Sequence, residues 1–332
     1  MKTLTQKEIE DYKQHRWFIL HHQDKCSICE KTFGINENAY FGHLQNGAYA
    51  YTCEKCSIHM KDAQLYTNSH KHSYKIPAPN TKLWRYMDLT KFLSLIEYSS
   101  LFFTRLDHFQ DPFEGTIGNK NNENFWTANE LKCKKKWIDV QSQSDNISLC
   151  DSELQLLAEQ EFKKYRENIK KWRSKNYVSC WHQSDFESEA MWKLYTRDCK
   201  QGIAIQTTFE RLYQALPIIP QVKFGMVNYI NFNEYNNGHS DKKFHPFDAP
   251  WYKRESFSHE KEFRIIIEDI GNNGEREWNK NIKVDLNLLI ENVYVSPEAE
   301  DWFAQLIKNI IKNRYQLKLN IIHSELNAQP FY

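Results

Sequence analysis

The chain has 332 residues, 40% hydrophobic and 26% charged. This excludes disordered and fibrous classes and suggests two domains. With 44 basic and 43 acidic side chains the net charge is +1, so any nucleic-acid or membrane partner must be met by a local patch. No run reaches the roughly 18 uncharged apolar residues of a membrane span, and Met1 to Asp11 is polar rather than signal-like, so the expected location is cytoplasmic.

In chain order, Gln6 to His15 reads as a short opening helix, followed by a cysteine-bearing module assigned to residues 1–66. Residues 67–80, polar and ending on Pro77 and Pro79, read as a linker to an α+β domain over 81–332. Its first elements are a strand at Leu83 to Tyr86, an amphipathic helix at Leu89 to Tyr98 and a strand at Ser100 to Thr104. Asp107 to Gly115 is a loop punctuated by Pro112 and Gly115, and a charged helical insertion occupies about 117–175. Strands resume at Tyr177 to Trp181, with a helix at Glu187 to Tyr195 and strands at Ile203 to Thr207 and Lys223 to Tyr229. Phe263 to Glu268, β-branched and continuous, is the strongest strand signal. The end reads strand, helix, strand: Val293 to Val295, Pro297 to Asn313 and Leu317 to Ile322. Strands interspersed with unevenly spaced helices point to α+β rather than a regular βαβ alternation.

Cys26-Ser-Ile-Cys29 and Cys53-Glu-Lys-Cys56 form two knuckles separated by a hairpin-sized stretch. Each Cys-x-x-Cys turn offers two thiolates, and four make a closed tetrahedral shell for Zn²⁺. Such a shell leaves no position for water, so the expected zinc is structural, in a small zinc-ribbon or treble-clef-like module. His43 and His59 are bystanders on this reading, and Cys133, Cys150, Cys180 and Cys199 are scattered, reduced cysteines.

Several strings of the large domain stand out. They are Leu83-Trp84-Arg85-Tyr86, Asp111-Pro112-Phe113-Glu114-Gly115, Ser179-Cys180-Trp181, Met191-Trp192-Lys193-Leu194-Tyr195 and Glu260-Lys261-Glu262-Phe263-Arg264. In an extended strand Glu260, Glu262 and Arg264 share one face, leaving Phe263 and Ile265 to the core. Two carboxylates this close raise each other's cost of ionising. The plain alternative is a solvated strand entry with a surface Glu262–Arg264 pair, and Arg85 partnered by Asp111 or Glu114. Met191, Trp192 and Tyr195 at helical spacing are equally suited to a core.

In order and spacing these strings resemble a bacterial domain-of-unknown-function family, number 2971, over residues 83–270. More distantly the layout is similar to the ADP-ribosyltransferase superfamily. That resemblance implies a split sheet carrying a helical insertion, with NAD as substrate. Arg85, Glu262 and Glu260 would be catalytic, and Ser179 or Tyr195 would fill the middle position. Arg85 would hold phosphate or ribose oxygens, with Trp181, Trp192 or Tyr195 stacking on the bases. It also implies a macromolecular target and a role as toxin or antiphage defence effector.

Lys163, Arg166, Lys170 and Arg173 fall on one helical stripe, and Lys132, Lys134, Lys135 and Lys136 form a second basic cluster. Either contacts RNA or DNA phosphates, or simply faces solvent. Two other functions therefore stand beside the transferase: a non-catalytic zinc-dependent nucleic-acid-binding protein, and a nuclease holding Mg²⁺ on Asp111, Glu114, Glu260 and Glu262.

Overall fold

The computed structural model describes residues 25–31, 38–47, 49–67, 75–116, 151–196, 200–217, 222–233, 246–269, 277–328 and 330, with Lys7, Glu10, Lys13 and Lys135. Of the expected opening helix only Lys7, Glu10 and Lys13 are described, all helical; the rest lies outside the described residues. Lys13 belongs with the large domain, because its Nζ donates to the Gln214 carbonyl at 2.7 Å and its own carbonyl accepts from the Tyr213 hydroxyl at 3.0 Å.

The cysteine module is a three-stranded antiparallel sheet in the order β2-β1-β3, made of β1 (Asn38–His43), β2 (Tyr49–Cys53) and β3 (Gln64–Thr67). A one-turn helix, α1 (Glu54–Ser57), carries Cys56 and follows directly on Cys53. Gly47, at φ +83°, supplies the left-handed residue of the β1–β2 turn. At Gly42 the returning chain comes so close that a Cβ would lie 2.7 Å from the Asp62 carbonyl oxygen. Asp62 pins that return by accepting from the His43 backbone N–H at 2.6 Å.

Residues 75–80 are tied down rather than linker-like. The Lys75 carbonyl accepts from Met226, the Pro79 carbonyl from Glu210, and Ile76 packs on the core. The large domain then begins with β4 (Lys82–Asp88), α2 (Leu89–Tyr98) and β5 (Ser100–Arg105). Asp88 caps α2 by accepting from the Lys91 backbone N–H at 2.8 Å, and Ser99, at φ 43°, closes the helix. Phe92, Leu95 and Ile96 form its buried stripe.

The helix α3 (Asp151–Arg173) occupies the end of the expected insertion, while 117–150, Lys135 excepted, lies outside the described residues. Next come β6 (Asn176–Gln183), α4 (Glu189–Thr196), β7 (Gly202–Thr208) and α5 (Phe209–Ala215). The strand expected at Lys223 to Tyr229 is two strands, β8 (Val222–Met226) and β9 (Asn228–Ile230). β9 pairs in parallel with β10 (Tyr252–Arg254). The remaining elements are β11 (Glu262–Glu268), β12 (Asn279–Lys283), α6 (Leu286–Leu289), β13 (Asn292–Val295), α7 (Asp301–Asn309) and β14 (Asn320–His323).

Among the described residues nine strands make one mixed sheet that forks at β6. Along one edge β6 pairs with β11 over its whole length, His182 opposite Glu262 through Asn176 opposite Glu268. Along the other edge it has two partners. β4 meets it only at Leu83–Gln183 and Trp84–His182, β5 only at Thr104–Val178 and Arg105–Tyr177. One arm continues β4-β7-β13-β14 and the other β5-β12. Between the arms, beside Ser179, Cys180 and Trp181, the sheet is split. The register puts Ser179, Trp181, Phe263 and Ile265 on one face and Cys180, His182, Glu262 and Arg264 on the other. The first face carries the main core with Leu83, Ile203, Ile205, Phe209 and Phe303. On the second face α4 packs Met191 and Trp192 against Trp84 and Tyr86.

Candidate functional site

The four cysteine sulfurs of the small module lie within 4.8 Å of one another, the grouping a metal ion such as zinc requires. Tetrahedral Zn–S bonds of about 2.3 Å give sulfur–sulfur edges of about 3.8 Å. The Cys29–Cys53 separation is 3.9 Å, far beyond a disulfide bond of about 2.0 Å. Burial raises the Cys26 thiol, but backbone N–H groups of Cys29, Cys53 and Ile28 outweigh it and bring its pKa down to about 6. Burial and the neighbouring sulfurs push Cys56 up to about 12. Crowded sulfurs that resist joint deprotonation suit a divalent cation, so the donor set fits zinc.

The second cluster is a buried ring of charge beneath the Asp107–Gly115 loop. Lys253, on β10, places its Nζ 2.6 Å from Glu260, 3.0 Å from Glu262 and 3.2 Å from Glu114. Arg264, fully buried, donates from Nε to Glu262 at 2.7 Å and from Nη2 to Glu114 at 2.6 Å, while its Nη1 bonds the Pro250 carbonyl. Lys253, Glu114, Arg264 and Glu262 thus close a ring of alternating sign, with Glu260 as a fifth, negative member. Asp111 anchors the loop on Arg254 at 3.0 Å, and Arg254 stacks on Phe113.

The two strand-entry glutamates therefore behave differently. Burial raises Glu262, but Arg264 and Lys253 overwhelm it and hold the carboxyl down at about 2. Glu260 is raised by burial, which Lys253 only partly opposes. They do not share a strand face as expected. Lys261 adopts φ 39° and Glu260 ends a 3-10 turn before β11 starts, so Glu260 reaches Lys253 from outside the strand. Nor is Glu262–Arg264 a surface pair, because both are almost fully buried. The expected Mg²⁺ set is likewise occupied from within: Lys253 and Arg264 sit among Glu114, Glu260 and Glu262, and Asp111 is bound to Arg254. Among the described residues, the four cysteines are the grouping placed to hold a metal.

Arg85 lies in the split of the sheet. Its Nη1 donates to Ser179 Oγ and its Nη2 to the Phe102 carbonyl, each at 3.1 Å, and its guanidinium stacks 5.6 Å from the Trp181 ring. Asp111 and Glu114, its expected partners, are both committed elsewhere, and no carboxylate among the described residues pairs with Arg85. Burial lowers its pKa, and the opposing influences are Cys180 and Tyr195. The Tyr195 phenol is in turn raised by burial and by Glu260, Cys180 and Glu262.

Of the other expected residues, Ser179 is buried, its hydroxyl accepting from Arg85 and from Trp181 Nε1. Trp181 and Trp192 are each 2% exposed, Trp192 with its Nε1 bonded to Glu187, so neither offers an open ring face. Tyr195, 43% exposed, does. Lys163 and Lys170 are exposed on α3 and Arg173 is half-buried, while the Arg166 side chain lies outside the described residues. Lys135 is exposed; Lys132, Lys134 and Lys136 lie outside. Sequence reasoning missed Lys253, the hub of the charge ring, which sits in a three-residue strand without periodicity. No family model matches the chain, and neither a curated protein nor a solved structure matches it.

Proposed function

We propose that the chain is an ADP-ribosyltransferase-like enzyme that cleaves NAD in the split of its sheet and modifies a macromolecular target. The observation that carries this reading is Arg85: a guanidinium in the split of the sheet, held by the Ser179 hydroxyl and the Phe102 carbonyl and without a carboxylate partner among the described residues. A cation in that state suits a pyrophosphate, which accepts its fork of donors. The forked sheet and the order of arginine, hydroxyl and glutamate along the chain agree with the superfamily resemblance.

In the proposed reaction the bond between nicotinamide and ribose C1′ breaks, and nicotinamide leaves with the electron pair. Positive charge grows on the ribose, and the buried negative excess of the glutamate ring stabilises it. A nucleophile of the target, or water, attacks C1′, and Glu260, whose pKa is raised, accepts its proton. Glu262 holds Lys253 and Arg264 in place, and Tyr195 presents an open ring for stacking. The zinc-suited module and the exposed Lys163 and Lys170 of α3 are the surfaces assigned to target contact.

The test is incubation of the purified chain with labelled NAD, alone and with RNA, DNA or cell lysate. Glu260→Gln is expected to lower kcat by about 10²–10³. Arg85→Ala is expected to act mainly through KM, since a phosphate clamp holds ground and transition states alike. Absence of NAD binding, or full activity in both variants, removes the transferase reading. Salt-sensitive nucleic-acid binding without NAD cleavage would instead favour the non-catalytic alternative.

A further inference from the structure

Arg85 divides the split into two ends. The glutamates lie at the β4 end of β6, where Glu262 and Trp84 both face His182. The other end is the β5 arm, which joins β6 at Val178. Val178 and His182 are four positions apart, a span of about 13 Å in an extended strand. If the reacting bond of a dinucleotide sits by Glu260 and its phosphates on Arg85, the rest of the molecule runs toward β5.

What waits there is aromatic. Phe102 gives its carbonyl to Arg85 and packs its half-buried ring against Trp278, with centroids 5.4 Å apart. Trp278 is 54% exposed, and its backbone carbonyl is fixed by the Arg105 N–H at 2.9 Å. Its indole N–H has no acceptor among the described residues. By contrast Trp84, Trp172, Trp181, Trp192 and Trp251 are all buried. Trp302 is equally exposed, but its N–H is held by Glu300 and Asp301 adjoins it, an environment that repels an anionic ligand. An exposed indole face costs hydrophobic free energy unless something covers it, and stacking a base on such a face is worth about 1–3 kcal/mol.

We infer that Trp278, backed by Phe102, is the stacking wall for the non-reacting base of a nucleotide whose phosphate is held by Arg85. This rests on the reading of the split as a nucleotide site and adds the subsite that selects an adenine-type base over a bare phosphate.

Calorimetric titration of the full chain with ADP, ribose 5-phosphate and inorganic pyrophosphate tests it, alongside NAD turnover. Trp278→Ala should weaken ADP binding about 5- to 160-fold. It should leave pyrophosphate and ribose 5-phosphate unchanged, and Trp278→Phe should recover much of the loss. Arg85→Ala should weaken all three. If the wild type cleaves NAD but Trp278→Ala binds ADP and turns over NAD normally, the subsite is wrong and the enzymatic reading stands. If ADP binding depends on Trp278 but NAD is never cleaved, the subsite stands and the enzymatic reading fails. A wild type that binds none of the three ligands overturns both.

Discussion

Replacing Arg264 with Met probes the buried ring most directly. Three carboxylates (Glu114, Glu260, Glu262) face two cations (Lys253, Arg264), so the wild-type cluster carries one surplus negative charge. Arg264→Met keeps much of the volume but leaves three carboxylates to Lys253 alone. Removing one partner of a buried ion pair costs about 3–5 kcal/mol. At roughly 2–4 °C per kcal/mol for a domain of this size, the melting temperature should fall by about 6–20 °C. The pH dependence carries a sign. In the wild type Glu262 titrates at about 2 instead of its ordinary 4.5, so it contributes about 3 kcal/mol above pH 4.5, lost as pH falls toward 2. In the variant, Glu262 loses Arg264 and its folded pKa rises. Any value raised above the unfolded one brings stability at low pH that is lost as pH rises. The gap between the two proteins, read by calorimetry or circular dichroism, should therefore narrow from pH 7 to pH 4. Glu262→Gln added to Arg264→Met should recover part of the loss, since it removes one uncompensated carboxylate. A variant that melts within about 2 °C of wild type at pH 7, or a gap that widens on acidification, would refute the ring's assigned role.

Elemental analysis should find about one zinc per chain, and chelation or Cys53→Ser should abolish hydrogen-exchange protection in residues 38–67 while the large sheet keeps its protection. Gly115→Ala should destabilise by about 1–3 kcal/mol in a denaturant titration, because Gly115 has φ +70° and a Cβ would lie 2.4 Å from Leu106 Cδ2. Asp88→Ala should cost about 1 kcal/mol in the same assay through loss of the α2 cap, with no effect on ligand binding.

Elements with strong local signals were legible in the sequence. The β-branched run at Phe263 to Glu268, the Asp88-capped helix and the two cysteine knuckles all declare themselves over a few residues. β12 was not, because Asn-Lys-Asn-Ile-Lys has little apolar content and gains its ladder only by pairing with β5 at the sheet's edge. Charge partnerships were also hidden. Nothing local assigns Glu114 to Arg264 across 150 positions, or Asp111 to Arg254 across 143. Once those acids are taken, Arg85 stays without one. The left-handed Lys261 escaped the strand-face argument because lysine carries no sequence mark of such a conformation. Trp192 read equally as core or ligand platform and Trp181 as a stacking ring, and both are buried, since ring chemistry alone does not separate core from ligand platform.

The fork at β6 also fixes an order of assembly. The Trp84 indole N–H reaches the Ser184 carbonyl across 100 residues, and the His182 ring meets the Glu260 carbonyl across 78. Strand β6 cannot be enclosed until both flanks of the chain exist, so closing it carries a large loop-entropy cost and slow, topology-limited kinetics. During synthesis β4, β5 and β6 emerge long before β11, leaving one edge of β6 and its apolar residues uncovered. The cysteine module, whose ligands span only 30 positions, completes its contacts early and locally. The nascent chain thus carries a finished small domain ahead of a central strand that stays open until β11 is made, the interval in which edge pairing with another copy competes with folding.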